Sequence, residues 1–183
     1  MIQPRFMSMV FTCLLTFGFI GAALAQTPPP STPPPPHKSA CGPDHKILYK
    51  RAVTLLDNAE KKLNSRFTAE AKSMAKEAKS LFVILQNECG QDQKERALTP
   101  KEEQQDAINQ KLAADEQAQA ENLMKSAEEK FKKAEKLETT QPEMYSTLMQ
   151  QAKFENEQAQ KRSIKAMIYA MRTDQMLFAW LGK

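Results

Sequence analysis

Residues 99–142 read TPKEEQQDAINQKLAADEQAQAENLMKSAEEKFKKAEKLETTQP. The opening Thr99-Pro100-Lys101-Glu102 is a capping box with proline at the first helical position. The threonine hydroxyl satisfies a first-turn amide, and the glutamate reaches back to the cap. No glycine or proline then interrupts the chain before Pro142. The stretch predicts one helix of about 38 residues, about 57 Å long at the α-helical rise. Its apolar marks are Ile108, Leu112, Leu123, Ala127, Phe131, Ala134 and Leu137. Residues 115–119 are polar apart from Ala118, which reads as an exposed or frayed stretch. Thr140-Gln141-Pro142-Glu143 then turns the chain into a second long helix, expected from about 142 to 180 with Gly182 past its end.

Working upstream, the same periodicity predicts a shorter hairpin. Leu48, Ala52, Leu55, Ala59 and Leu63 mark one face of a helix over about 45–64. Thr68 is placed to cap a second helix over about 68–89. Its stripe of Ala71, Ala75, Ala78, Phe82, Leu85 and Cys89 runs at spacings of four and three, and Gly90 fits the position just beyond its end. Ala52, Leu55, Ala59, Glu60 and Lys62 recur 68 positions later as Ala120, Leu123, Ala127, Glu128 and Lys130, as a duplicated hairpin would leave them. The hairpins are similar in general look to tetratricopeptide-type repeats, but the Trp, Gly and Tyr positions of that motif are missing and no family is assigned. The expected fold is all-α: antiparallel helical hairpins forming an elongated three- to four-helix bundle or coiled coil.

The N-terminal segment has a different character. Arg5 is followed by the apolar run Val10–Leu24 and by Ala23-Leu24-Ala25, the pattern of a secretory signal cleaved after Ala25. Residues 26–43 are proline-rich, and proline fixes φ and removes the amide donor, so an extended polyproline segment is expected there. The organisation read from sequence is a signal at 1–25, a linker at 26–43, a first hairpin at 44–90, a connector at 91–98 and a long hairpin at 99–183.

Export places Cys41 and Cys89 in an oxidising compartment, where two thiols pair. They also fall at neighbouring ends of the first hairpin, so a Cys41–Cys89 disulfide is expected. A subordinate reading joins His37, Cys41, His45 and Cys89 as a Cys2His2 metal set. Pro43 interrupts any helix that would align the first three, which disfavours it.

Composition excludes most enzymes. Five glycines, two of them in the signal, leave no phosphate-cradling loop. The only histidines are His37 and His45, so no HExxH or ExxH pattern exists, and there is no CxxC. The net charge of +4 becomes +3 without Arg5, and residues 98–183 net −1. That distribution lacks the focused basic face of a nucleic-acid binder. No cofactor is expected.

The C-terminal stretch is the most apolar part of the helical region. Ile164, Met167, Ile168 and Met171 share a face, followed by Leu177, Phe178, Trp180 and Leu181. It reads either as a docking element for a protein partner or a membrane surface, or as the end of the last helix packed into the bundle. Met167 and Met171 share that face but Met176 points away, which disfavours thioether copper binding. The functional expectation is an exported, non-enzymatic helical interaction or scaffold protein of the bacterial periplasm or cell envelope. It would contact an envelope protein or associate with itself. The alternative is a periplasmic carrier of a metal or small ligand.

Overall fold

The computed structural model describes residues 41–94 and 96–183. The expected signal, most of the proline-rich linker and His37 lie outside them. Four α-helices follow one another: α1 (Pro43–Asn64), α2 (Thr68–Lys94), α3 (Pro100–Glu135) and α4 (Pro142–Leu177), with a closing 3-10 turn at Ala179–Gly182. The class is the expected one, all-helical and bundled.

Local chemistry fixes the ends. At α3, Thr99 accepts the Glu102 amide at 3.3 Å and its own amide donates to Glu102 at 2.9 Å, closing the capping box. α1 ends in a left-handed turn. Arg66 sits at φ 67°, and the Arg66 and Phe67 amides return to the Leu63 and Lys62 carbonyls at 3.1 and 2.9 Å. Those bonds satisfy carbonyls that the helix end would otherwise orphan. Two expected ends move. Thr68 is the first residue of α2 rather than its cap. Gly90 does not stop α2, which continues to Lys94. A glycine inside a helix costs about 1 kcal/mol, too little to end one followed by good helix formers.

The core lies where α1 and α2 meet the C-terminal half of α4. All six residues of the α2 stripe are fully buried, together with Ala52, Leu56 and Ala59 of α1. Tyr49 and Leu56 are buried in place of Leu48 and Leu55, so α1 is rotated slightly from its expected face and Leu48, Leu55 and Leu63 are only partly buried. Ile164, Ile168, Met171, Phe178 and Leu181 complete this cluster, with Met167, Leu177 and Trp180 packed on its margin. The closing turn comes so near α1 that a Cβ at Gly182 would stand 3.1 Å from the Tyr49 ring.

Among the described helices, α3 packs against α4 alone. Its inward residues are small or polar: Asn109, Glu116, Ala120, Ala127 and Ala134. α4 meets them with Ala152, Ala159 and Ala166. These alanines recur every seven residues, the period of a coiled coil, and let the two backbones approach closely. Leu123 and Phe131 flank this seam half-buried. Ile108 and Leu112, expected on the apolar side, are 45% and 37% exposed. The polar stretch 115–119 is continuous helix, and Glu116 within it is buried against α4.

Candidate functional site

Three features of this framework carry chemistry or contact surface. The first is the junction of the two hairpins. Arg172 of α4 donates to Asp57 of α1 at 2.8 Å and to Gln175 at 2.7 Å, and also pairs with Glu60. Tyr49 donates to the Gln175 carbonyl at 3.0 Å. These bonds fasten α4 to α1 around the apolar cluster. The residues expected to dock a partner, Ile164, Met167, Ile168, Met171, Leu177, Phe178, Trp180 and Leu181, are therefore placed in the bundle core or on its edge. Ile164, Ile168, Met171, Phe178 and Leu181 are buried, while Met167, Leu177 and Trp180 keep part of their surface accessible at the margin.

The second feature is a groove of about 430 Å³ between α2 and α3, floored by α4. Ala113, Ala114, Ala166 and Ala170 make it narrow and smooth, Met167 and Met171 line its floor, and Lys79 and Asp174 supply charge. Asp174 accepts Gln86 at 2.5 Å. Burial pushes its carboxyl above the usual range, and the nearby Asp106 adds to the effect against Gln86 and Lys79. Asp106 itself accepts the Thr173 hydroxyl at 2.9 Å.

The third feature is the free end of the α3–α4 pair. The α1–α2 turn lies beside residues 157–161 of α4, since Arg66, Thr68 and Lys72 share a concavity with Glu157, Gln160 and Lys161. Residues 142–156 and their α3 partners thus extend past the first hairpin by about 22 Å. Met124, Met144 and Phe154 on this projection are 55%, 52% and 62% exposed. Met124 and Phe131 line one shallow concavity of about 430 Å³, and Met144 lines another of about 640 Å³ at the tip. Lys130 and Glu155 pair across the two helices at 2.7 Å and hold the projection together.

Cys41 and Cys89 form the expected disulfide, with Cα atoms 5.3 Å apart. It ties the start of α1 to the last turns of α2. His45 stands beside it. Its Nδ1 accepts the Gly42 amide at 2.9 Å and its Nε2 lies 2.6 Å from a Glu88 oxygen. Cys41, His45 and Cys89 form a group whose ligand atoms lie within 4.8 Å of one another. Glu88, Glu116 and Asp174 are not residues that the sequence singles out. They sit in helices with many similar charges, and only packing distinguishes them.

Among the described residues, no helix is long and apolar enough to cross a membrane. No known protein family matches the chain, and no curated protein or solved structure shows significant similarity to it.

Proposed function

We propose that this is an exported, non-enzymatic interaction protein of the cell envelope or secreted space, and that its partner docks on the projecting end of the α3–α4 pair. The observation that carries the reading is the exposure of Met124, Met144 and Phe154 on a two-helix projection that the other described residues leave uncovered. Single exposed apolar residues are ordinary on protein surfaces. Three such side chains on one extension, two of them lining open concavities, provide the methionine and aromatic contacts in which interfaces are enriched. Export is supported by the signal-like residues 1–25 and by the disulfide, which is characteristic of oxidising compartments.

The test is crosslinking and affinity purification of the chain from its native envelope, beside a Met124→Gln/Met144→Gln/Phe154→Gln variant. All three positions are exposed, so the variant keeps the fold. Loss of one discrete protein from the variant supports the reading. Retention of every crosslinked protein removes the projection as the contact surface. Truncation at residue 163 is not a substitute, because it removes Ile164, Ile168, Met171, Phe178 and Leu181 from the core.

A further inference from the structure

We propose that reduction of the Cys41–Cys89 disulfide converts this corner of the bundle into a site for one thiophilic cation of tetrahedral preference, Zn2+, held by the two thiolates and His45. The ligand atoms of all three residues already lie within 4.8 Å of one another. Cys41 lies just before α1, His45 in its first turn and Cys89 in α2; Cys89 is fully buried and Cys41 and His45 are partly accessible, so an ion would enter from the Cys41 side. Two sulfurs and one imidazole are a zinc donor set that leaves one coordination position open.

The hydrogen bonds around His45 favour its use as a ligand. The Gly42 amide can only donate, so Nδ1, which accepts it, carries a lone pair. The proton therefore sits on Nε2 and is donated to Glu88. A carboxylate on one ring nitrogen orients the ring and raises the basicity of the other, the usual outer-shell arrangement of a metal-bound histidine. On metal binding, Nδ1 would exchange the Gly42 amide for the ion, and that amide would turn to solvent at an exposed position.

The chemistry balances in two steps. A dithiol reductant transfers two electrons and two protons to the disulfide, closing to its own disulfide and leaving two thiols here. Zn2+ then displaces two protons as both sulfurs bind as thiolates. The pair would thus be pinned by a covalent bond under oxidising conditions and by a metal under reducing ones.

The test uses the full chain after reduction with a dithiol and anaerobic removal of the reductant, titrated with Co2+ as a spectroscopic stand-in and then with Zn2+. The expected result is one Co2+ per chain, with thiolate-to-metal charge-transfer bands and tetrahedral d–d bands that Zn2+ abolishes. The oxidised chain should give neither. Glu88→Gln should weaken Zn2+ binding by about 10- to 100-fold, the usual effect of losing such a partner. His45→Ala should weaken it at least as much and change the d–d bands. Far-UV circular dichroism follows the fold throughout, and Zn2+ should raise the melting temperature of the reduced chain. Absence of the charge-transfer bands overturns the proposal whether or not the reduced chain stays folded. So does a His45→Ala variant that binds as tightly as the parent.

Discussion

Glu116 offers the sharpest test of how α3 is held. Only 8% of it is exposed, between two helices whose other contacts are largely alanine. It accepts Lys165 at 2.7 Å and Arg162 at 2.8 Å. Burial alone would raise its carboxyl, but the hydrogen bonds from Lys165 and Arg162 outweigh that and hold it below the usual glutamate range. A shielded hydrogen bond to a charged group is worth about 1.5–3 kcal/mol, whereas an exposed ion pair is worth about 0.2–1 kcal/mol. The two cation side chains are 39% and 47% exposed, so each bond falls between those limits. Together they come to about 2 kcal/mol. Glu116→Ala should therefore cost about 2 kcal/mol, which lowers the melting temperature of a domain this size by about 6 °C. Neither cation is stranded by the change, since both reach solvent. Glu116→Gln should cost nearly as much if charge rather than shape is responsible. The pH dependence has a fixed sign. The folded pKa lies below the unfolded one, so the contribution is complete above the ordinary value of about 4.3 and is lost as pH falls through the folded pKa. Thermal melts by circular dichroism, across pH and at low salt, measure this. If both variants melt within about 0.5 kcal/mol of the parent at neutral pH, the pairing of α3 with α4 does not rest on Glu116.

Three further expectations concern separate parts of the molecule. Asp174 has a raised pKa, so its ionisation penalises the fold as pH climbs past the ordinary aspartate value of about 3.9. Asp174→Asn keeps an acceptor for Gln86 and should stabilise by about 0.5–1 kcal/mol at neutral pH, with the gain vanishing in acid denaturation profiles below the unfolded value. Arg66 holds a left-handed conformation that costs an ordinary residue about 1–2 kcal/mol, so Arg66→Gly should raise the urea midpoint by the equivalent of about 0.5–1 kcal/mol; an unchanged midpoint would show that the turn carries no strain. The disulfide spans a separation of 48 residues. On the chain-entropy relation its reduction should cost about 4 kcal/mol in metal-free solution, read from Trp180 fluorescence in denaturant.

The most legible parts of the sequence are a long unbroken apolar stripe and a complete capping box. The α2 stripe from Ala71 to Cys89 and the Thr99–Glu102 cap are both found as expected. α3 is legible only in part: Ala127 and Ala134 are buried as expected, while Ile108 and Leu112 are exposed. Hydrophobic periodicity gives weight to large side chains, and close helix packing selects small ones. The C-terminal run from Ile164 to Leu181 was read as apolar, but apolar composition is the same for a core and for a docking face. Only the positions of α1 and α2 decide between them. The pairing of His45 with Glu88 bridges 43 positions in sequence, and no local pattern encodes it.

The alanine repeat has one more consequence. Because alanines recur every seven residues on both helices, sliding α3 along α4 by seven positions, about 10 Å, returns alanine to alanine. Such a contact carries almost no register information. The correct alignment is written instead in charge, by Glu116 against Arg162 and Lys165 and by Lys130 against Glu155. Registration of the α3–α4 pair is thus electrostatic while its adhesion comes from close apolar packing. Salt, which screens the former and spares the latter, should loosen alignment without dissolving the helices.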